Sequence, residues 1–187
     1  MDTNKLTQKS QEALQAAQQQ AVEFGHQQLD ARHLLLGLIE PADGLIRRLL
    51  ERMDVPIDAV AGGLQAELRK QPKVSGAGYQ PDKIFLTPEL AQALQLAEQK
   101  AQQMQDEYVS VEHVFLALLA TATGDVKELL DVFAIDEARF LSALKEVRGN
   151  QRVQSANPEA TYEALERYGR DLVQMCRQGK VDPVIGR

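Results

Sequence analysis

The residues of this sequence that could act as acids, bases, nucleophiles or metal ligands are few and widely spaced. Its only imidazoles are His26, His33 and His113, and its only thiol is Cys176. A catalytic or metal site requires such side chains to converge with acids. His33 and His113 instead lie three residues after a predicted helix cap, where a side chain can reach back to the start of the helix. We therefore interpret both as structural, and we predict no metal site and no catalytic residue.

The motifs that bind nucleotides are also missing. The sequence contains no G-x-x-x-x-G-K-[ST] phosphate loop, and the Gly-Ala-Gly at 76–78 lies in a predicted loop rather than before a helix. The 187 residues carry 27 acids against 21 bases, a net charge of −6. Binding to nucleic acid requires a basic surface that displaces counterions from phosphates, so this function class is disfavoured. We expect no enzymatic activity and no cofactor in this chain.

The expected location follows from the same inventory. A single cysteine excludes an internal disulfide framework and is typical of a reducing compartment. The first fifteen residues are polar and lack the apolar region of a secretion signal. No apolar stretch approaches the roughly 20 residues that a membrane span requires. The sequence therefore predicts a soluble, cytoplasmic chain.

An internal repeat is the most informative feature of the sequence. When the chain is shifted by 80 positions, residues 6–64 align without a gap on residues 86–144. Identical residues recur along this whole alignment. They are Leu6 with Leu86, Ala13-Leu14-Gln15 with Ala93-Leu94-Gln95, His33 with His113, Leu36 with Leu116, Gly44 with Gly124, and Leu49-Leu50 with Leu129-Leu130. Such self-similarity at a fixed period is the signature of a duplicated structural unit.

Each unit predicts four helices. In the first helix of each, apolar residues recur at steps of three and four, and Thr7 and Thr87 are suitable caps. The second helices are almost wholly apolar, from Leu34 to Ile39 and from Val114 to Ala120, which is typical of buried central helices. Shorter third helices are predicted at about 44–53 and 124–132, and fourth helices at about 56–69 and 136–147. The predicted fold is all-α, with two tandem pseudo-symmetric four-helix repeats followed by a linker and one further helix.

These patterns divide the chain into segments. Repeat one covers residues 1–69, a loop rich in Pro and Gly covers 70–85, and repeat two covers 86–147. Residues 148–160 are polar and predict a flexible linker. An amphipathic helix follows at about 161–178.

A binding role is easier to argue than catalysis. Two similar helical halves must meet along a seam, and seams between repeats often form ligand grooves. Acidic residues near such a seam, here Asp106, Glu107 and Glu112, would favour basic or unfolded partners. The same residues also fit a solvated loop and a helix start, so composition and spacing leave both interpretations open.

Three segments resemble a known family. LTQKSQEAL at 6–14, DARHLLLGLI at 30–39 and DEYVSVEHVFLALL at 106–119 are similar to the paired repeats of the Clp amino-terminal domain. Residues 164–187, which end in Asp-Pro-Val-Ile-Gly-Arg, resemble the segment that leads into the first AAA+ ATPase module of the ClpB-type disaggregases. The resemblance covers essentially the whole chain, and it implies that residues 161–187 begin such a module.

The resemblance also implies a function. In that family the amino-terminal domain binds exposed apolar segments of misfolded or aggregated proteins and passes them to the pore of a hexameric, ATP-driven ring that works with the DnaK chaperone system. By position, the family's substrate-linked residues fall on Thr7, Asp106 and Glu112. Its adenine pocket would begin at Val184, Ile185 and Gly186. ATP and Mg²⁺ would be cofactors of the parent protein and not of this fragment.

A related alternative comes from the same resemblance. The ClpA/ClpC-type unfoldases share the repeat, and their amino-terminal domains dock adaptors that feed a protease. The stretch ALERYGRDL at 164–172 is more similar to the disaggregases, so that function is preferred.

Overall fold

The computed structural model describes residues 2–162. Over that range a short 3₁₀ turn at Thr3–Lys5 precedes two repeats of four α-helices each. Repeat one contains α1 (Gln8–Phe24), α2 (Ala31–Ile39), α3 (Leu45–Arg52) and α4 (Ile57–Lys70). Repeat two contains α5 (Pro88–Gln103), α6 (Val111–Thr121), α7 (Gly124–Val132) and α8 (Glu137–Arg148). The predicted all-α fold with two four-helix repeats is confirmed.

The two long first helices begin where their caps predict. The Thr7 hydroxyl accepts from the Ser10 N–H at 3.2 Å, and the Thr87 hydroxyl accepts from the Leu90 N–H at 3.2 Å. Each bond satisfies one of the backbone donors that the first turn of a helix leaves without an intrahelical partner. In α5 the first position is Pro88, whose missing N–H costs nothing there.

The repeats share their backbone turns as well as their helices. The first helix of each ends at a left-handed residue, Gly25 with φ 73° and Gln105 with φ 59°. The third helix of each is likewise followed by one, Asp54 with φ 57° and Ala134 with φ 52°. Matching turns at positions 80 residues apart confirm that the two halves are copies of one structural unit.

The second helices form the centre of the molecule, as their composition predicts. Residues 33–39 of α2 and 111–118 of α6 are buried without interruption. Because a Cβ at Gly37 would lie 2.7 Å from the carbonyl oxygen of Ala13, only glycine allows α1 to approach α2 this closely. The counterpart of Gly37 is Ala117, which carries the Cβ for which repeat one has no room at this position.

Two short extended pairings join the repeats. Strand β1 (Gln28–Leu29), between α1 and α2, pairs in parallel with strand β2 (Phe85–Leu86), just before α5. At the matching place, Leu6 before α1 forms a parallel bridge with Val109 before α6. The segment that leads into the first helix of each repeat therefore pairs with the other repeat. These pairings are the only extended structure that the described residues show.

Residues 148–160 differ from the flexible linker that the sequence predicts. Val153 is fully buried, its N–H donates to Asp106 at 2.9 Å, and its carbonyl accepts from the Glu107 N–H at 2.8 Å. The Ala156 carbonyl accepts from the Gln8 N–H at 2.7 Å. The polar residues that suggested flexibility lie exposed between these anchors. The segment is therefore attached to the domain.

The next helix begins at Pro158, three residues before its predicted start. Most of the predicted helix at about 161–178 lies outside the described residues, as do Val184, Ile185 and Gly186.

Candidate functional site

The three residues predicted to bind substrate lie at one end of the seam between the repeats. Thr7 caps α1, Asp106 follows α5, and Glu112 is in the first turn of α6. All three are buried, and the side chains of Asp106 and Glu112 are 0% exposed. The structure brings them together but leaves none of them on the open surface. Their role in substrate binding stays a prediction.

Arg148, at the end of α8, links the two acids. Its guanidinium donates to Asp106 Oδ1 and lies 3.5 Å from Glu112 Oε1, while its Nε donates to the Gln151 carbonyl at 2.7 Å. Burial alone would raise the pKa of Asp106. Hydrogen bonds from His113, Arg148 and the Val153 N–H outweigh it and leave that pKa below its ordinary value. Asp106 is therefore a buried carboxylate with a full set of donors.

His113 also holds the Asp106 carboxylate in position. Its Nδ1 accepts from the Ser110 N–H at 2.9 Å, so its Nε2 carries the hydrogen and donates to Asp106 Oδ2 at 2.7 Å. In repeat one, His33 Nδ1 accepts in the same way from the Asp30 N–H at 3.0 Å, and its Nε2 lies 2.8 Å from His26 Nδ1. Both histidines close capping boxes, which confirms their structural interpretation.

Glu159 connects Thr7 to Glu112. Its Oε1 accepts from the Thr7 hydroxyl at 2.8 Å and from the Val111 N–H at 3.4 Å. Burial, and after it the nearby charge of Glu112, raise the pKa of Glu159 to about 7. The second oxygens of both glutamates have no hydrogen-bond partner among residues 2–162. The carboxyl groups of Glu112 and Glu159 are thus both buried and close enough to interact, and the guanidinium of Arg148 lies beside Glu112.

Arg148 and Glu159 are functional-site residues that the sequence analysis missed. Arg148 lies where a helix end normally meets solvent, and nothing local marks it as buried. A signal for Glu159 existed, because Asn157-Pro158-Glu159 has the same order of capping residue, proline and acid as the helix start Thr87-Pro88-Glu89. That pattern locates a helix start, but it says nothing about which surface the helix meets.

An apolar groove begins beside this polar cluster. It has a volume of about 90 Å³, is open to solvent, and lies between α1, the C-terminal end of α2 and α3. Its walls are mainly apolar, including Ala13, Ala16, Leu38, Leu45 and Val111. Exposed charged side chains also border it, among them Lys9, Glu12 and Asp43. Glu159 and Ala160 also line the groove, and Glu159 is the residue that accepts from the Thr7 hydroxyl.

The buried acids are held by donors or enclosed away from solvent, and the described residues place no nucleophile with an adjacent general base in the groove. No group of three or more His, Cys, Asp or Glu side chains that could hold a metal ion occurs within residues 2–162. Over the same range, no helix is both long enough and apolar enough to cross a membrane.

Comparison with known proteins establishes the family. The sequence model of the Clp repeat (R) N-terminal domain matches residues 5–133. The chain belongs to this family. The match includes both members of the cross-repeat pairing, Leu6 and Val109, and most of the duplicated unit. It ends before Arg148 and Glu159, so the family match by itself does not describe how the Clp domain is covered by the residues after α8.

Two relatives that match the whole length of this chain are chaperones by name. The chain is 49% identical over 187 residues to the chaperone protein ClpB of Bacillus cereus, and 50% identical over 188 residues to that of Nitratidesulfovibrio vulgaris. Each match covers 100% of this chain and 22% of the relative. The chain therefore spans about a fifth of the length of these ClpB proteins.

Solved structures with the same fold are amino-terminal domains too. The Hsp104 N-terminal domain from Candida albicans has a TM-score of 0.71 at 23% identity, over 82% of this chain and 98% of that one. A complex of the ClpV N-domain with a VipB peptide has a TM-score of 0.56 at 19% identity, over 75% and 89%. At these identities the likeness shows the fold alone.

Proposed function

We propose that this domain captures exposed apolar segments of misfolded or aggregated polypeptides for an ATP-driven, hexameric disaggregase of the ClpB type. The single observation that carries the proposal is the apolar groove between α1 and α3, which is lined in part by Glu159, the residue that bonds to the candidate Thr7 and lies near the candidate Glu112. The groove is small and mainly apolar and offers few directed polar groups, so it would bind weakly and with little sequence preference. Such capture suits a client that must be released into a pore.

The surrounding protein completes this function. The ATP and Mg²⁺ of the parent ring would bind beyond this chain's candidate site, with the adenine pocket beginning at Val184, Ile185 and Gly186. The fragment itself would not hydrolyse ATP. The parent protein would work in the cytoplasm during stress, with the DnaK system supplying clients. Six such domains on one ring raise the effective concentration of binding surface, so each contact need not be tight.

An adaptor-docking domain of a ClpA/ClpC-type unfoldase is the weaker alternative. Relatives that match the whole chain at 48–50% identity are ClpB chaperones. Sequence likeness therefore favours the disaggregase.

The proposal is tested by titrating the ¹⁵N-labelled chain with reduced casein, an unfolded protein rich in apolar residues. We expect resonances of groove residues such as Ala16, Leu45 and Val111 to shift at high micromolar casein. The variant Ala16→Glu places a charge in the half-buried wall of the groove and should weaken binding about tenfold. Ala66→Glu, on the exposed face of α4, is the matched control and should bind as the parent chain does. Absence of shifts, or equal loss in both variants, would refute the proposal.

A further inference from the structure

Residues 151–162, which we call the cover, lie across the candidate substrate site. The first half of the cover is anchored by Val153, which is 0% exposed. The backbone of Val153 bonds to the side chain of Asp106 and to the N–H of Glu107, so it fills the positions that a bound extended peptide would fill. This half of the cover also borders a cleft between α5 and α8, whose wall is formed by residues 149–152.

The second half of the cover is anchored on the start of α1. The Ala156 carbonyl accepts from the Gln8 N–H, and the Glu159 carboxyl accepts from the Thr7 hydroxyl. Tyr162 is 1% exposed, and its hydroxyl has no hydrogen-bond partner among residues 2–162. The ring is therefore held by apolar packing.

These contacts close the polar cluster of Thr7, Asp106 and Glu112 to any other chain, whereas the apolar groove beside it stays open. Thr7 and Asp106 bond directly to the cover, and Glu112 lies close enough to Glu159 for its charge to raise that residue's pKa. A client cannot touch these three side chains while the cover is in place. If they bind substrate, the cover must leave first.

The second repeat boundary shows what the same surface looks like without a cover. The counterpart of Leu6 is Leu86, and the two are 2% and 46% exposed. The counterpart of Gln8 is Pro88, which has no N–H with which to hold a passing carbonyl. The cover therefore fits only one of the two boundaries, and its docking depends on groups that are particular to that boundary.

The cover is held at separate points rather than by a continuous core. Residues 154–157 are exposed although the Ala156 carbonyl is one of the anchors. Another anchor is the buried Glu159 carboxyl, whose second oxygen has no partner within the described residues. An undocked cover would return Glu159 and its backbone groups to water. Exchange with a competing chain is therefore feasible, because an extended polypeptide can offer the site the same backbone hydrogen bonds that the cover makes.

We propose that the cover is a built-in occupant of the client site, and that a client binds by displacing it. This inference rests on the proposed function and names the chemistry of the client. The client segment is extended, offers a free backbone N–H to Asp106 and a carbonyl to Gln8, and presents an aliphatic or aromatic side chain where Val153 and Tyr162 now lie. It is uncharged or basic at the position of Glu159, because Glu112 disfavours a second anion there.

The inference is tested by stapling the cover. In the full 187-residue chain with Cys176→Ser, the pair Gln8→Cys and Ala156→Cys is introduced at two residues whose backbones share a hydrogen bond of 2.7 Å. Formation of the disulfide is checked by thiol titration before binding is measured. Binding of fluorescent reduced casein is measured by anisotropy with the staple oxidised and, after reduction, open. We expect oxidation to weaken binding at least tenfold and reduction to restore it, since affinity scales with the fraction of chains whose site is open.

The control staple leaves the cover alone. Gln27→Cys with Phe85→Cys joins two backbones that share a hydrogen bond at the other repeat boundary, and its oxidation should not change binding. Equal affinity of the oxidised and reduced Gln8/Ala156 pair would overturn the displacement mechanism while leaving the proposed function intact. A parent chain that does not bind casein at all would instead refute the proposed function.

A second variant opens the cover. Val153→Asp places a carboxylate beside Asp106 and should release the segment, raising the affinity for casein at least fivefold. Gln154→Asp, on the exposed neighbouring residue, should leave it unchanged. Unchanged or weaker binding by Val153→Asp contradicts the inference, whether or not the staple forms.

Discussion

At the scale of single residues, burial and a neighbouring charge together set the pKa of Glu159. Its carboxyl lies among apolar groups beside a second glutamate, and both effects raise its pKa towards neutrality. The polar groups that act on it are the Thr7 hydroxyl at the start of α1 and the Val111 N–H and Glu112 carboxylate of α6. Lys9, Glu12 and Arg48 line the same groove, and Arg148 lies beside Glu112.

The raised pKa predicts a stability that falls as pH rises. The unfolded chain loses the Glu159 proton near its ordinary pKa of 4.5, whereas the folded chain keeps it until about pH 7. Between these values the folded state binds more protons, so the free energy of unfolding decreases with pH, by at most about 3 kcal/mol.

The variant Glu159→Gln isolates this effect, because other titrating groups are common to both chains. We expect the variant to unfold at higher urea than the parent chain at pH 8, and the difference to shrink towards pH 5. Urea titrations monitored by circular dichroism measure it. A difference that stays constant from pH 5 to pH 8 would show that Glu159 is already ionised in the folded state.

At the scale of elements, the central helices illustrate what local patterns encode. Apolar runs bounded by capping residues predict α2 and α6 as buried helices, and both are found. The pattern does not show how closely a neighbouring helix approaches. That depends on Gly37, whose absent side chain lets the backbone of α1 come into contact with α2.

Gly37→Ala is expected to destabilise the fold by about 1–3 kcal/mol, because the new Cβ would overlap a backbone carbonyl that cannot move alone. Gly62→Ala in α4 is the matched control, since nothing lies within 4 Å of a Cβ at that position. It should stabilise the helix by about 0.5–1 kcal/mol. Urea unfolding compares the two, and equal effects would mean that the α1–α2 contact is looser than described.

At the scale of the whole molecule, the repeats are interlocked rather than merely adjacent. Leu6 of repeat one pairs with Val109 of repeat two, and Leu86 of repeat two pairs with Leu29 of repeat one. The central helices α2 and α6 also pack on each other across the boundary. Neither half can unfold without breaking pairings that hold the other.

This interlocking predicts a single cooperative unfolding transition. Resonances from both repeats, for example those of Leu34 and Leu116, should disappear with the same midpoint in a urea titration followed by NMR. Nearest-neighbour coupling between separable repeats would instead allow one half to melt first. Midpoints that differ between the repeats would show that the short pairings contribute little to cooperativity.

The candidate site divides along the same lines. The resemblance placed Thr7, Asp106 and Glu112 in one site, and the structure brings them together. Residues 148–160 were predicted to form a flexible linker, but the structure shows them attached to the domain. A single buried side chain such as Val153 is enough to attach the segment, although the composition of the segment stays polar. Arg148 appears in no motif, yet it is the cation that holds two of the three candidate residues.

The sequence by itself determined the duplication, the eight helices and most of their ends, because caps and the 3.6-residue period act between neighbours a few positions apart. Tertiary structure alone decided that the chain after α8 returns to the start of α1. The bond from Thr7 to Glu159 spans 152 positions, and no local pattern encodes the path between them. That path depends on which buried surface the returning segment can satisfy, and so only the folded molecule shows the candidate site to be closed.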